Sequence, residues 1–280
     1  MNAKKLFWYL PVLVIAVAMT ISACKKNDDL NFTNVPTTQE NKDYGMENAR
    51  LEKIFIDVDN MSDQAFALRN NPLLGIALGS ECAKITVDTT AKKITVSFGI
   101  TNCMCKDGRF RRGSVNINYT GHYSDSAAYH VITFKDYYVN DYKVDGSRTI
   151  SNKGRNAQGL LYYAVTMSGS VTSPDGKATT SCSATYTRIW TLGEWTDTYI
   201  DDDQYTISGA GVFTSSSGVS YNIKTDQSLI VNVNCAWINM GIMEIIPIGG
   251  IARILDYGAG TCDNQSTLTV NNVMTTLKMD

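Results

Sequence analysis

The sequence predicts a mainly β protein: a large twisted antiparallel meander, folded as a sandwich or a partly open barrel, with one amphipathic helix at its N-terminal end. Three observations carry this expectation. Apolar and polar residues alternate in many segments between about residues 82 and 278, as Val115, Ile117 and Tyr119 do with Asn116, Asn118 and Thr120, the period of a half-buried strand. Turn residues separate several of these segments, at Asp107-Gly108, Asp145-Gly146, Pro174-Asp175-Gly176, Ser217-Gly218 and Asn271-Asn272. Strand follows strand with no helix between, so hairpins in succession replace the crossovers of a parallel sheet. Hydrophobic residues at 44% and aromatic residues at 10% suffice for a packed core.

At the N-terminus, Lys4 and Lys5 precede an almost wholly apolar run over 6–19, and small residues follow at Ser22 and Ala23. This is the layout of a secretory signal peptide, expected over 1–23. Pro11 interrupts the apolar run, which is short for a spanning helix of about 20 residues. Ile21-Ser22-Ala23-Cys24 resembles the lipobox of bacterial lipoproteins. That resemblance implies cleavage before Cys24, a diacylglycerol thioether on its sulfur and acylation of the new amino terminus, which together make a stable anchor to the lipid bilayer. Residues 24–44 are polar, without hydrophobic period, and are expected to form a solvated tether. Lys25 stands where inner-membrane lipoproteins of Gram-negative bacteria often carry Asp, so the same resemblance implies the outer membrane, with the periplasmic or the outer face left open.

The domain is expected over 45–280. Leu51, Ile54, Phe55, Val58, Met61, Ala65 and Phe66 recur at three- and four-residue spacing, predicting a helix over about 46–68 with one buried stripe, stopped by Asn70-Asn71-Pro72. Strands are expected over 84–87, 93–98, 115–120, 129–134, 137–144, 160–171, 177–190, 205–213, 219–224, 229–233, 242–246, 251–255 and 267–277. Gly113-Ser114, Gly146-Ser147, Gly169-Ser170 and Ser208-Gly209 recur too irregularly for a solenoid or propeller and mark equivalent bends in successive strands.

With Cys24 committed to lipid, Cys82, Cys103, Cys105, Cys182, Cys235 and Cys262 form an even set, which in an exported chain reads as a disulfide framework. Cys235 and Cys262 flank a hairpin turning at Ile248-Gly249-Gly250, and Cys82 and Cys103 flank a similar one; both second cysteines come four residues after a Gly. Cross-strand geometry therefore pairs Cys235 with Cys262 and Cys82 with Cys103, leaving Cys105 with Cys182 as the remainder. The competing reading is a metal site built from Cys103, Cys105, Cys182 and a His, although structural zinc pairs usually have two to four intervening residues.

Asn102-Cys103-Met104-Cys105-Lys106-Asp107-Gly108-Arg109 with Arg112-Gly113, Ile132-Thr133-Phe134 before Tyr137-Tyr138-Val139-Asn140, and the run from Asp256-Tyr257-Gly258 to Cys262-Asp263-Asn264 together resemble a family of uncharacterised lipoproteins of Gram-negative bacteria. The resemblance implies a lipoprotein and an all-β fold, and brings no catalytic residue with it.

A formal net charge of −2 excludes condensation on a nucleic-acid backbone. The two histidines, His122 and His130, lie in strand-like sequence outside any zinc-protease or nucleophile-elbow motif. No cofactor is expected. Two features offer binding: Trp190, Trp195 and Tyr199 as an aromatic shelf for a glycan or an envelope protein, and Asp201, Asp202 and Asp203 as an oxygen cluster for calcium. The competing readings are rings that pack the sheet and a solvated turn. Arg109, Arg111 and Arg112 make a small basic patch, read as a charged hairpin tip. The expectation is a membrane-anchored, non-catalytic binding or interaction module; the alternatives are a glycan-processing enzyme, which needs a carboxylate pair in a pocket near those rings, and a purely structural surface protein.

Overall fold

The two-residue alternation of the sequence becomes a single antiparallel sheet in the computed structural model, which describes residues 38–67, 69, 83–196 and 200–279. The expected signal segment, Cys24, most of the tether, Cys82 and Tyr199 lie outside the described residues. The strands are β1 (Lys84–Asp88), β2 (Lys93–Ser97), β3 (Cys103–Met104), β4 (Phe110–Tyr119), β5 (Tyr129–Val139), β6 (Tyr142–Arg155), β7 (Leu161–Thr172), β8 (Thr179–Leu192), β9 (Gln204–Thr214), β10 (Ser220–Asn232), β11 (Met240–Pro247), β12 (Arg253–Ala259), β13 (Gln265–Val270) and β14 (Val273–Lys278). They pair in chain order from β1 to β14, with the short β3 set aside on β4. The sheet is open, with β1 and β14 at its edges, so it is one curled layer and not a sandwich.

Most expected turns hold. Asn271 and Asn272, both at positive φ, join Val270 to Val273, as a two-residue hairpin requires. Asp145-Gly146 is a correction: it lies inside β6, and the β5–β6 turn is Asn140-Asp141, with φ of 47° and 65°. Gly146 faces Gly169 across the β6–β7 ladder, and a Cβ at Gly146 would run into the backbone of Ser168 and Gly169. Close strand approach and a φ of 117°, not a turn, require the glycine there. The two segments expected at 219–224 and 229–233 are one strand, β10, whose register against β11 shifts between Thr225 and Ile230. Such bulges, with those between Arg112 and Ser114 and between Thr133 and Tyr137, bend strands and coil the sheet.

The helix α1 runs over Thr38–Ala67, so it begins inside the stretch expected as tether. Tertiary contacts hold this polar first part in the helix. Tyr44 lies 5.2 Å from Tyr221, ring to ring, Gly45 sits against Leu268 and Leu277, and the Arg253 Nε donates to the Asn41 Oδ1 at 2.8 Å. A second correction concerns its faces. One buried stripe was expected, yet no position from Asn48 to Phe66 is exposed. The sheet curls about the helix, which passes close to β2, β8, β12, β13 and β14 and pairs with β4 and β6 through its side chains.

The Cys235–Cys262 disulfide is formed, with Cα atoms 5.8 Å apart, as the hairpin spacing predicts. Cys103 is disulfide-bonded; Cys82, its expected partner, lies outside the described residues. The expected Cys105–Cys182 bond is not formed, and both are buried thiols. Cys105 sits in the turn before β4 and Cys182 within β8, with β5, β6 and β7 between them. That is about 19 Å along the sheet at ordinary strand spacing, where a disulfide needs Cα atoms within about 7 Å.

Candidate functional site

The site starts from polar residues on α1. Asn41, Asn48, Glu52, Asp59 and Asp63 follow at seven- and four-residue intervals, which return to one side of a helix. In water this would be the solvated side. Here all five are buried, and a buried charge costs several kcal/mol unless it is paired.

The partners stand on the inward phase of the strands. Arg148 on β6 grips Asp59 with two contacts, Nε to Oδ1 at 2.6 Å and Nη2 to Oδ2 at 2.7 Å. Arg188 on β8 donates from Nη2 to Asp63 Oδ2 at 2.6 Å. The Tyr186 hydroxyl donates to Glu52 Oε1. On another side of the helix, Asp57 meets Arg109 at 3.1 Å and Arg111 at 2.7 Å. Burial works to raise the Asp57 carboxyl, but the guanidiniums of Arg111 and Arg109 hold it below its usual value. The basic patch of the sequence is thus corrected: Arg109 and Arg111 turn inward, and Arg112 stays at the surface with Asp141 and Asn102. Sliding the helix by a turn would strand these charges in the core, at a cost of several kcal/mol per ion.

At one end this polar interior opens into a recess of about 40 Å³. Its floor is Asp63, Phe66, Tyr123, Asp203 and Tyr205, and its rim includes Ala67, His122, Trp190, Thr196 and Ile200. Trp190 stacks on Tyr205 at 5.6 Å and donates its indole N–H to Asp203 Oδ1 at 3.1 Å. Burial, with repulsion from Asp63, pushes the Asp203 carboxyl up to about 7, against the Trp190 hydrogen bond and the Arg188 charge that favour ionisation. Next to the recess, His130 lies 3.9 Å from the Tyr123 ring and 4.7 Å from Phe66, and its Nε2 meets the Gly121 carbonyl at 3.2 Å. Burial lowers this imidazole to about 4, so it is neutral at pH 7.

The residues singled out in the sequence are divided by the fold. Trp190 belongs to the recess. Trp195 is 86% exposed, with the Arg155 guanidinium 5.7 Å from its ring, and no ring contact among the described residues joins it to Trp190. Tyr199 lies outside the described residues. The three aspartates diverge: Asp203 faces inward, Asp202 accepts a hydrogen bond from the Thr196 hydroxyl at 3.0 Å, and Asp201 is exposed. Among the described residues no three His, Cys, Asp or Glu side chains gather as a metal site. Asp63, Phe66, His122, Tyr123 and Tyr205 were not singled out as site residues. Asp63 carries a sequence signal in its spacing from Asp59 and Glu52.

Two other hollows are less suited to chemistry. A polar groove of about 240 Å³ runs over β12, β13 and β14, but its carboxylates Asp256 and Asp263 already accept from the Gly258 and Gln265 amides. A hollow of about 20 Å³ between α1 and the β5–β6 turn is lined by Arg50, Lys53 and Arg109, and Lys53 Nζ there lies 3.0 Å from the Trp237 ring centroid. No described helix is long and apolar enough to cross a membrane. No protein-family model, curated protein or solved structure matches the chain.

Proposed function

We propose that this chain is an exported, lipid-anchored module of the outer membrane, and that it binds a small ligand at the recess beside Trp190 and Asp203 without transforming it. The anchor rests on the leader pattern and Cys24, and the Cys235–Cys262 disulfide suits the oxidising side of a membrane. The observation that carries the binding reading is the recess itself, where aromatic rings surround a buried carboxyl. A catalytic reading would use Asp63 and Asp203 as a pair. Against it, Asp63 is tied to Arg188.

Two experiments test this reading. Palmitate labelling in bacterial cells should mark the full chain and leave Cys24→Ser unlabelled and released from the membrane fraction; labelling that survives the substitution would overturn the anchor. A fragment screen read by tryptophan emission should find ligands whose signal disappears in Trp190→Phe and whose affinity falls in Tyr205→Leu. An empty screen, with both variants folded, would move the weight to a structural role.

A further inference from the structure

We infer that the recess receives a primary ammonium group, the charged end of a small amine; this rests on the binding reading above and names its ligand class. The floor holds two carboxylates, Asp63 and Asp203, against one guanidinium, Arg188. Asp63 is 7% exposed and Asp203 is 2% exposed, so both carboxylates are largely shielded from bulk water. Arg188 Nη2 occupies Asp63 Oδ2 at 2.6 Å, while Asp63 Oδ1 and Arg188 Nη1 are both buried and make no hydrogen bond. Asp203 has one hydrogen-bond donor among the described residues, the Trp190 indole. A single additional cation with several N–H donors would satisfy both carboxylates and bring the charges to balance.

The walls suit the same ligand. Phe66, Tyr123, Trp190 and Tyr205 present rings, and ring faces attract cations. The site already uses that attraction, since the Arg188 guanidinium lies 3.5 Å from the Tyr205 ring centroid. An anion would meet two carboxylates, and a neutral apolar group would leave Asp63 Oδ1 unsatisfied. Size selects further. One water needs about 10–15 Å³ by the same kind of measure, so a volume of about 40 Å³ holds about three heavy atoms; an ammonium on a slender stem enters and the five heavy atoms of tetramethylammonium do not. The groups facing Asp203 are Asp63 from α1, Arg188 and Trp190 from β8, Tyr163 from β7, Tyr205 from β9 and Asp202 beside it, with His122 at the rim.

The test is isothermal titration of the full chain with methylammonium chloride, n-butylammonium, tetramethylammonium, n-butanol and butyrate, in buffers of differing ionisation heat. Methylammonium and n-butylammonium are expected to bind, with about half a proton released at pH 7 and about tenfold tighter binding at pH 8 than at pH 6, the change in ionised Asp203 for a carboxyl near 7. Tetramethylammonium and butyrate are expected to give no heat, and Asp203→Asn to abolish the ammonium signal. If Asp203→Asn does not fold, proton release by His122→Asn, which removes the imidazole at the rim, still decides. Ammonium binding without proton release, or retained in a folded Asp203→Asn, overturns the inference. If n-butanol or butyrate binds at Trp190 and no amine does, the ligand class is wrong and the binding recess stands; if no probe binds, both fall.

Discussion

Asp59 on the helix and Arg148 on β6 face each other through two contacts, at 2.6 and 2.7 Å, with each side chain about 1% exposed. Removing one partner leaves the other charge in the core, which costs about 3–5 kcal/mol. The two halves are not equivalent. Asp59 can take up a proton when Arg148 is lost, whereas Arg148 cannot shed one. Urea unfolding should therefore find Asp59→Leu more destabilising than Arg148→Met. The double variant should be less destabilised than the sum of the singles by about 2 kcal/mol or more, within the range of coupling for such groups. Additive losses would show that the pair does not act as a unit.

His130 makes stability depend on acid. Its folded value of about 4 lies below the ordinary 6.5, so the unfolded chain binds the proton more readily. The contribution of this group is complete above pH 6.5 and is lost as pH falls from 6.5 through 4. It is worth roughly 3 kcal/mol across that window. Thermal unfolding of His130→Phe, which keeps a ring between Tyr123 and Phe66, should show a shallower loss of Tm between pH 6.5 and 4 than the unaltered chain. An unchanged slope would place the acid sensitivity elsewhere.

Gly169 lets the helix approach the sheet. A Cβ there would overlap the ring of Phe55 and come within 3.1 Å of the Asp145 carbonyl, and Phe55 is fully buried. Gly169→Ala should cost about 1–3 kcal/mol by overpacking. Phe55→Leu, which shortens the opposing side chain, should recover part of that loss in the double variant. Urea midpoints for the four chains check this, and a Gly169→Ala loss that Phe55→Leu does not reduce would contradict it.

The cysteines separate by chemistry. Burial pushes the Cys182 thiol well above its usual value, so iodoacetamide should label it only after unfolding. Reducing Cys235–Cys262 opens a loop of 27 residues and should cost about 3 kcal/mol. Peptide mapping after alkylation, with and without denaturant, reads the first; urea unfolding of Cys235→Ser with Cys262→Ser reads the second. Native-state labelling of Cys182 would mean that β8 is less shielded than its packing implies.

How far the sequence reaches is clearest residue by residue. Tyr186, Arg188 and Trp190 share one phase of β8, so an inward Arg188 was readable from the alternation. Its partner Asp63 stands 125 residues away, and no local pattern joins the two. The same holds for Arg253 and Asn41. Cys235 and Cys262 were legible because a single hairpin carries both, whereas Cys105 and Cys182 were joined only by elimination. Asp145-Gly146 misled because its glycine answers to the neighbouring strand and not to its own turn. The recess was half visible, through Trp190 and Asp203. Its helix residues, Asp63 and Phe66, were hidden because the helix was expected to bury one stripe, whereas the curled sheet buries its polar residues as well.

Asp203 is a buried carboxyl at the floor of the recess, held by the Trp190 indole and raised toward neutrality by burial. The NMR signal of the Trp190 indole N–H in the full chain, assigned through Trp190→Phe and followed from pH 5 to 9, reports on that carboxyl. The signal should shift with a midpoint of about 7, and the shift should be absent in Asp203→Asn. An indole signal that does not move across this range, or one that still titrates in Asp203→Asn, would contradict it.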